Sequence, residues 1–540
     1  MSGLDIPLTP LRFLERTLEA APDKLAIVDG DRRWTYRDFG AAVQRLAKAL
    51  RQQGITDGQR VAYLATNSAE MLIAHFGVPL AGGVLVAINT RLAPIEVEYI
   101  CNHSGASILI GQADLLDPIA EANVRLETVT TVVELPDVEG QFSGAVERIT
   151  YEDLLGRASG DDLAYSVDDE DRTLAINYTS GTTGRPKGVM YTHRGAYLNS
   201  LGEIHHSGFG PDSTYLWTLP MFHCNGWCTT WAVTAAMGTH ICLRAVRATA
   251  MWSLIDEHRV SHLNGAPTVL TTLANASEAH PLESALTITT AGAPPSPTII
   301  SRIRRLGAQI VHVYGLTETY GPYSVCESKA EWSDLAEAEQ ATLMARQGVG
   351  MLTNDRMRVV RKELSPSGEL VDVANDGTEM GEIVMRGNGV MKGYHADDAG
   401  TAQAFEGGWF HSGDLGVMHP DGYVQLLDRA KDVVVSGGEN ISTIEVEQAL
   451  LSHPAVIEAA VVGVPDDTWG ERPKAFVMTV DGAEIDEVEL IAHVKDRLAS
   501  YKAPRSIEIV TDLPRTSTGK IRKNELRDAE WGSRSVKING

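Results

Sequence analysis

In "WTYRDFGAAVQRLAKALRQQG" the apolar residues Phe39, Ala42, Val43, Leu46 and Leu50 return at intervals of three and four, which predicts an amphipathic helix with one face on a core. Thr35 stands before it as an N-cap with Asp38 in the first turn, and Gly54 marks its end. Continuous apolar runs follow, "RVAYLA" at 60–65 and "GGVLVAIN" at 82–89, on either side of a helical stretch. They predict short buried strands of a parallel sheet alternating with helices. Such sheets usually bind ligands at the C-terminal ends of their strands. That rule singles out "TLAINYTS", a predicted strand fed by the polar, acidic linker "GRASGDDLAYSVDDEDR".

Beyond this strand, helical patterns and short strands alternate as far as "GYVQLLDRAKDVVVSGGENIS", where glycines and charges cluster around Arg429 and Lys431. A domain boundary is expected there, with residues 1–429 forming a large N-terminal domain and 430–540 a small C-terminal one. In the latter, "STIEVEQALLSH" and "DEVELIAHVKDRLA" predict helices, "EAAVVGVP" and "KAFVMTV" strands, and "PRTSTGKIRK" a loop. The expected fold class is α/β: a large domain of sheets sandwiched by helices plus a small mobile α+β domain. A chain of 540 residues exceeds what one hydrophobic core usually serves, which agrees with two domains.

Charge narrows the partners. A formal net charge of -24 repels polyanions at long range, so nucleic acid and anionic membrane surfaces are not expected partners, and a bound nucleotide needs local cations. The five cysteines are scattered and odd in number, which suits a reducing compartment, and Cys224 with Cys228 lacks a second pair at zinc spacing. The N-terminus shows no leader pattern and no run approaches the ~20 apolar residues that span a bilayer. The expectation is a cytoplasmic protein without an integral membrane segment; a homodimer is one open outcome for its assembly.

The candidate chemistry lies directly after the predicted strand, in "YTSGTTGRPKGVMYTHRG" at 178–195. A Walker A loop needs a hydroxyl residue after its lysine, and Lys187 is followed by Gly188. Ser180, Thr182 and Thr183 can still donate hydrogen bonds, while Gly181 and Gly184 allow the backbone to turn its N–H groups toward an anion. A phosphate-binding loop is the reading that follows.

Thr-Ser-Gly-Thr-Thr-Gly with Pro186-Lys187-Gly188 resembles the signature of the adenylate-forming superfamily: acyl-CoA ligases, adenylation domains and firefly-type luciferases. The resemblance continues in order at "PMFHCNGW" (220–227), "TAGAPPSP" (290–297), "VYGLTET" (313–319), "WFHSGDLG" (409–416), "DRAKDVVVSGGENIS" (428–442) and "RTSTGKIRK" (515–523). It implies ATP, Mg²⁺ and coenzyme A as cofactors and co-substrates, and a two-step ligation through an acyl adenylate.

Residue by residue, the resemblance implies that Thr179, Ser180, Gly181, Thr182, Thr183, Gly184 and Lys187 hold the phosphates. Ala291, Gly292 and Ala293 with Tyr314 and Gly315 form the adenine slot, the Tyr314 ring stacking on the base. Thr317 touches the α-phosphate and Glu318 binds the metal. Asp414 accepts from both ribose hydroxyls, and Arg429 is another ribose or phosphate contact. Lys520 is the lysine that reaches the carboxylate and α-phosphate, Lys431 is the hinge, and Gly437 with Gly438 walls the pantetheine arm. His223 stands beside the acyl carboxylate, while Trp227, Gly265, Ala266, Tyr320, Gly321 and Pro322 border the acyl tunnel.

The bulk of Trp227 and Tyr320 suggests a tunnel of limited depth, and "YGLTETYGP" with "MFHCNGW" looks most like ligases for short- to medium-chain acids, including methylthiopropionate-type acids. The aspartate that amino-acid-activating relatives carry is replaced here by the "FHCNG" run. The rival readings are delivery of the acyl group to a carrier protein or another acceptor, a luciferase-like oxygenase, and an inactive nucleotide-binding protein. The presence of both Lys520 and Glu318 argues against the last.

Overall fold

The computed structural model describes residues 6–136, 148–179, 185–293, 295–436, 439–466, 468–480, 482–483, 485–516 and 519–532. The first predicted helix forms over Tyr36–Gln52, and Thr35 and Asp38 close a reciprocal capping box at its start. Its apolar face enters a core shared with a wholly buried neighbouring helix, Ala69–Leu80, and the ring of Phe39 meets that of Phe76 edge-on at 5.4 Å. Gly54 ends the helix segment at φ +84°, where a residue with a Cβ is strained.

Two large sheets enclose this core among the described residues. One has eight strands, and Arg60–Leu64 lies between Val84–Ala87 and Ala106–Gly111, all parallel. Thr173–Thr179 pairs in parallel with Val84–Ala87 on the other side and in antiparallel with Lys187–Thr192. The other sheet has nine strands and carries Thr214–Leu216, His262–Gly265, Thr287–Thr290 and Gln309–Leu316 side by side and parallel. The core cluster draws side chains from both sheets and from the helices between them, including Val61, Tyr215, Trp217 and Trp231.

An antiparallel four-stranded sheet follows, ending in Phe410–Met418 and Val424–Arg429. The next strand, Val434–Ser436, opens a separate five-stranded sheet. Helices Thr443–Leu451 and Glu487–Lys495 supply one core against it, and Lys523–Trp531 packs on the opposite face, where Trp531 Nε1 donates to Gly463 O at 3.0 Å. The strand Val456–Asp466, paired along its length with Gly470–Thr479, is buried on both faces, which is why "EAAVVGVP" reads as continuous and not alternating. The architecture is the mixed α/β arrangement of a large N-terminal and a small C-terminal unit.

Candidate active site

The predicted phosphate loop is the tip of a hairpin. Thr179 stands opposite Lys187 in register, at the end of a strand whose parallel partner is Val84–Ala87. Ser180, Gly181, Thr182, Thr183 and Gly184 lie outside the described residues. Lys187 Nζ lies 3.6 Å from Asp397 Oδ2 and 4.5 Å from the centre of the Tyr394 ring. Tyr394 in turn donates its hydroxyl to Glu318 Oε1 at 3.0 Å, so it ties the loop's lysine to the expected metal carboxylate. Sequence reading missed Tyr394 and Asp397. Their place depends on a two-residue strand, Gly393–Tyr394, paired with Val189 and Met190 some two hundred residues earlier.

Thr317 and Glu318 sit on a tight 3₁₀ turn after the strand Gln309–Leu316. The Thr319 hydroxyl pins that turn, accepting from Leu316 N and donating to Gly321 O, each at 2.8 Å. Gly315 is fixed as glycine because a Cβ there would run into the Gly321 carbonyl. The Cys224 thiol lies 3.7 Å from both Thr317 Oγ1 and His223 Nε2. Burial raises the Glu318 carboxyl above its ordinary range, opposed by the Tyr394 hydroxyl and Arg429.

Asp414 and Arg429 face each other across neighbouring strands. Arg429 Nε lies 3.6 Å from Asp414 Oδ1, and Tyr314 donates its hydroxyl to Oδ2 at 2.8 Å. Tyr314 therefore bonds to the expected ribose carboxylate and is 93% covered, whereas the sequence suggested a ring offered to the base. A carboxylate has about four acceptor sites, so Asp414 retains capacity for a vicinal diol. Asp414→Asn should raise KM for ATP about tenfold through loss of charge-assisted hydrogen bonds and leave kcat nearly unchanged. Steady-state kinetics over an ATP series would show it; an unaltered KM would remove Asp414 from the nucleotide site.

Lys520 arrives from the C-terminal unit. Its Cε would come within 3.1 Å of a Cβ at Gly292, so the bare glycine, at φ +98°, leaves the passage for the lysine stem. Gly519, at φ +86°, packs on Thr268 Oγ1 in the same way, and Lys520 N donates to Thr516 Oγ1 at 3.0 Å to close the loop. Burial lowers the Lys520 ammonium, and Arg429 adds to the shift, against Asp414, Cys224 and Glu318. His223 is pushed down to about 3 by burial and then by Lys520, so its ring is neutral at physiological pH. As a neutral ring it can orient a carboxylate with a hydrogen bond.

The segment expected to border the acyl tunnel contains a feature that no pattern announced. Cys224, Asn225, Gly226, Trp227 and Cys228 all have left-handed φ, between +51° and +63°. Each non-glycine residue in that conformation costs about 1–2 kcal/mol, and such strain concentrates at functional sites. Asn177 Nδ2, donating to Asn225 Oδ1 at 2.7 Å, and Gly226 N, donating to His223 O at 2.9 Å, hold the turn. It presses Trp227 against Gly321, where a Cβ would come within 2.7 Å of Trp227 Cδ1. Pro322, next to Gly321, is buried; Gly265 ends the strand His262–Gly265, and Ala266 leads into the helix Pro267–Ala274.

Tyr320 needs correcting. Its ring stacks on Tyr191 at 4.0 Å and its hydroxyl accepts from Thr192 N at 2.8 Å, beneath the start of the helix His193–Ser207. It fills the core there and does not narrow the tunnel. Lys431 is exposed and its carbonyl accepts from Arg527 at 2.6 Å; Gly437 and Gly438 lie outside the described residues.

Asp414, buried beside Tyr314 and Arg429, Lys520, threaded past Gly292, and Glu318, on a tight turn, thus lie in one another's field. Comparison with known proteins gives the family. Residues 14–395 match the AMP-binding enzyme family and residues 445–520 match the AMP-binding enzyme C-terminal domain. A peroxisomal trans-cinnamate:CoA ligase of Petunia hybrida is 39% identical over 97% of this chain and 94% of its own length. A peroxisomal acetate/butyrate–CoA ligase of Arabidopsis thaliana is 40% identical over 96% and 94%. The crystal structure of the anthranilate CoA ligase AuaEII with anthranoyl-AMP superposes with a TM-score of 0.85 at 25% identity, covering 98% of both chains. The chain belongs to the AMP-binding enzyme family and is an AMP-forming acid–CoA ligase. Enzymes of this class use ATP, Mg²⁺ and coenzyme A.

Proposed function

We propose that this ligase activates a short- to medium-chain carboxylic acid, and that residues 1–429 bind ATP and acid while residues 430–540 carry Lys520 and turn about Lys431. The observation that carries this reading is Lys520 lodged beside Gly292, within the field of Asp414, Arg429 and Glu318.

A carboxylate does not react with a thiol because its leaving group would be oxide. Attack of a carboxylate oxygen on the α-phosphorus of ATP makes a mixed anhydride and expels pyrophosphate; the thiol sulfur then attacks the acyl carbon and AMP leaves. The first step brings like charges together, and at about 4 Å each pair repels by roughly 4 kcal/mol at an effective dielectric near 20. Lys520 and Arg429 offset that repulsion. Thr317 offers a hydroxyl to the α-phosphate and neutral His223 orients the acid.

The residues fit Mg²⁺, which binds through one or two carboxylates and the substrate's phosphates and supplies charge neutralisation there. Glu318 offers Oε2 for it, while Oε1 is held by Tyr394. Trp227, clamped on Gly321 by the strained turn, supports a shallow acyl site. The relatives named above act on acids as different as acetate and cinnamate at nearly equal identity, so chain length has to be measured.

Incubation with ATP, Mg²⁺ and a panel of short, medium and aromatic acids, with and without coenzyme A, tests the reading. The expected result is acid-dependent pyrophosphate, strongest for short and medium chains, with the matching thioester by mass spectrometry. Pyrophosphate without thioester would point to another acceptor, and preference for long chains would overturn the substrate class.

A further inference from the structure

On the helix His193–Ser207, Asn199 and Glu203 lie one turn apart and both are 99% covered. They face the nine-stranded sheet. His262 Nε2 meets Ser207 O at 3.1 Å, His262 pairs with Tyr215 in register, and Asn264, two residues on, points to the same side. Other polar groups along this seam are satisfied: Ser207 bonds to Thr289 Oγ1, Ser200 to Ala196 O, and Thr218 to Asn264 O. At its centre they are not. Both amide atoms of Asn199, both of Asn264, Glu203 Oε1 and the Tyr215 hydroxyl are buried without a well-formed hydrogen bond; the neighbouring groups are the Cys228 thiol beside Asn199, Ser207 beside Glu203, and Thr229 and the Asn264 backbone beside Tyr215.

A poorly paired buried polar group is destabilising, so four such side chains along one seam are far more costly than an apolar packing seam. The cluster also borders the segments expected to line the acyl tunnel. Asn264 directly precedes Gly265 and Ala266; Cys228, which follows Trp227, lies 3.9 Å from Tyr320 O and feels both Asn199 and the Glu203 charge.

We propose that Glu203, with Asn199, Tyr215 and Asn264, forms a polar far end of the acyl site that selects acids bearing a hydroxyl remote from the carboxylate. This deepens, and rests on, the acid–CoA ligase reading. Burial pushes the Glu203 carboxyl up to about 8, so near neutral pH it is chiefly a protonated donor with a free acceptor. Two amides and a phenol add donors and acceptors but no cation. A hydroxyl satisfies such a set by donating and accepting. A second carboxylate would find no counter-charge, and an ammonium would have to ionise Glu203 against its burial.

The test measures kcat/KM for pyrophosphate release with butyrate, hexanoate and octanoate, each paired with its ω-hydroxy counterpart, and with benzoate and cinnamate paired with their para-hydroxy forms. A site built to hydrogen-bond a hydroxyl rejects the analogue lacking it, so the wild type should favour the hydroxy member of at least one pair by about tenfold or more. Glu203→Met should abolish that preference while keeping or raising Tm, because it removes a buried, poorly paired carboxyl. Tyr215→Phe, which removes one poorly paired hydroxyl and almost no volume, should weaken the same preference about threefold or more even where the Met variant fails to fold. Activity on the acids with no hydroxy preference in the wild type, or a preference untouched by either variant, overturns the polar pocket alone. Absence of pyrophosphate with every acid overturns the ligase reading and the pocket with it.

Discussion

Lys520→Ala should slow acyl-adenylate formation by about 10²–10³-fold, the loss typical of one preorganised charge-stabilising group. Pyrophosphate release in a single turnover measures it, and thioester formation from synthetic acyl adenylate is the control. That second step should change little, because it no longer joins a carboxylate to a polyphosphate. The local charges explain the asymmetry. Arg429 and Lys520 stand against Asp414 and Glu318, and the arriving acid and nucleotide tip the site to an anionic excess that removal of Lys520 leaves unopposed. An unchanged adenylation rate would take Lys520 out of the mechanism.

Acidity supplies a second reading of the same group. The lysine works as a cation, and burial followed by Arg429 lowers its pKa from the ordinary lysine range. A lowered value means that the proton leaves as pH rises, and leaves earlier than from an exposed lysine. Adenylation should therefore lose rate on the alkaline side below the usual lysine range, while thioester formation from preformed adenylate shows no such limb.

Local rules made much of the fold readable. The Thr35–Asp38 capping box, the apolar stripe from Phe39 to Leu50 and the buried runs at 60–65 and 82–89 each act over a few residues, and each formed as its pattern implied. The order of motifs identified the family for the same reason: each motif is contiguous. What could not be read depends on partners distant in sequence. Tyr394 reaches Glu318 through a two-residue strand, and Glu203 looks in sequence like a solvated helix position until the sheet covers it. The left-handed run at 224–228 contradicts local preference outright, since of its five residues Gly226 alone adopts that conformation freely. Tyr320 was misread because bulk near a motif says nothing about which way the ring turns.

Lys431→Pro should leave adenylation within about threefold of wild type while slowing thioester formation from preformed adenylate about tenfold or more, because proline fixes φ where a hinge must rotate. The contacts around Lys431 divide into those that cross residue 431 and those within residues 430–540. Asp428, three residues before Lys431, accepts from both the backbone N and the hydroxyl of Thr443, twelve residues after it, each at 2.6 Å. Lys523 donates to the same Thr443 hydroxyl and pairs with Glu447 at 2.7 Å; it stands three residues beyond Lys520. Arg527 holds the Lys431 carbonyl and Asp432 from the same helix. In the proposed rotation the Asp428–Thr443 bonds, which cross residue 431, must be released, whereas the Lys523 and Arg527 contacts lie within residues 430–540 and turn with that unit. Asp428→Ala, which removes the bonds that cross residue 431, should shift the balance the other way, lowering adenylation relative to thioester formation. Measuring both half-reactions in both variants decides the matter: equal losses in the two steps for Lys431→Pro would mean that residue 431 is a structural joint and that the C-terminal unit does not turn about it.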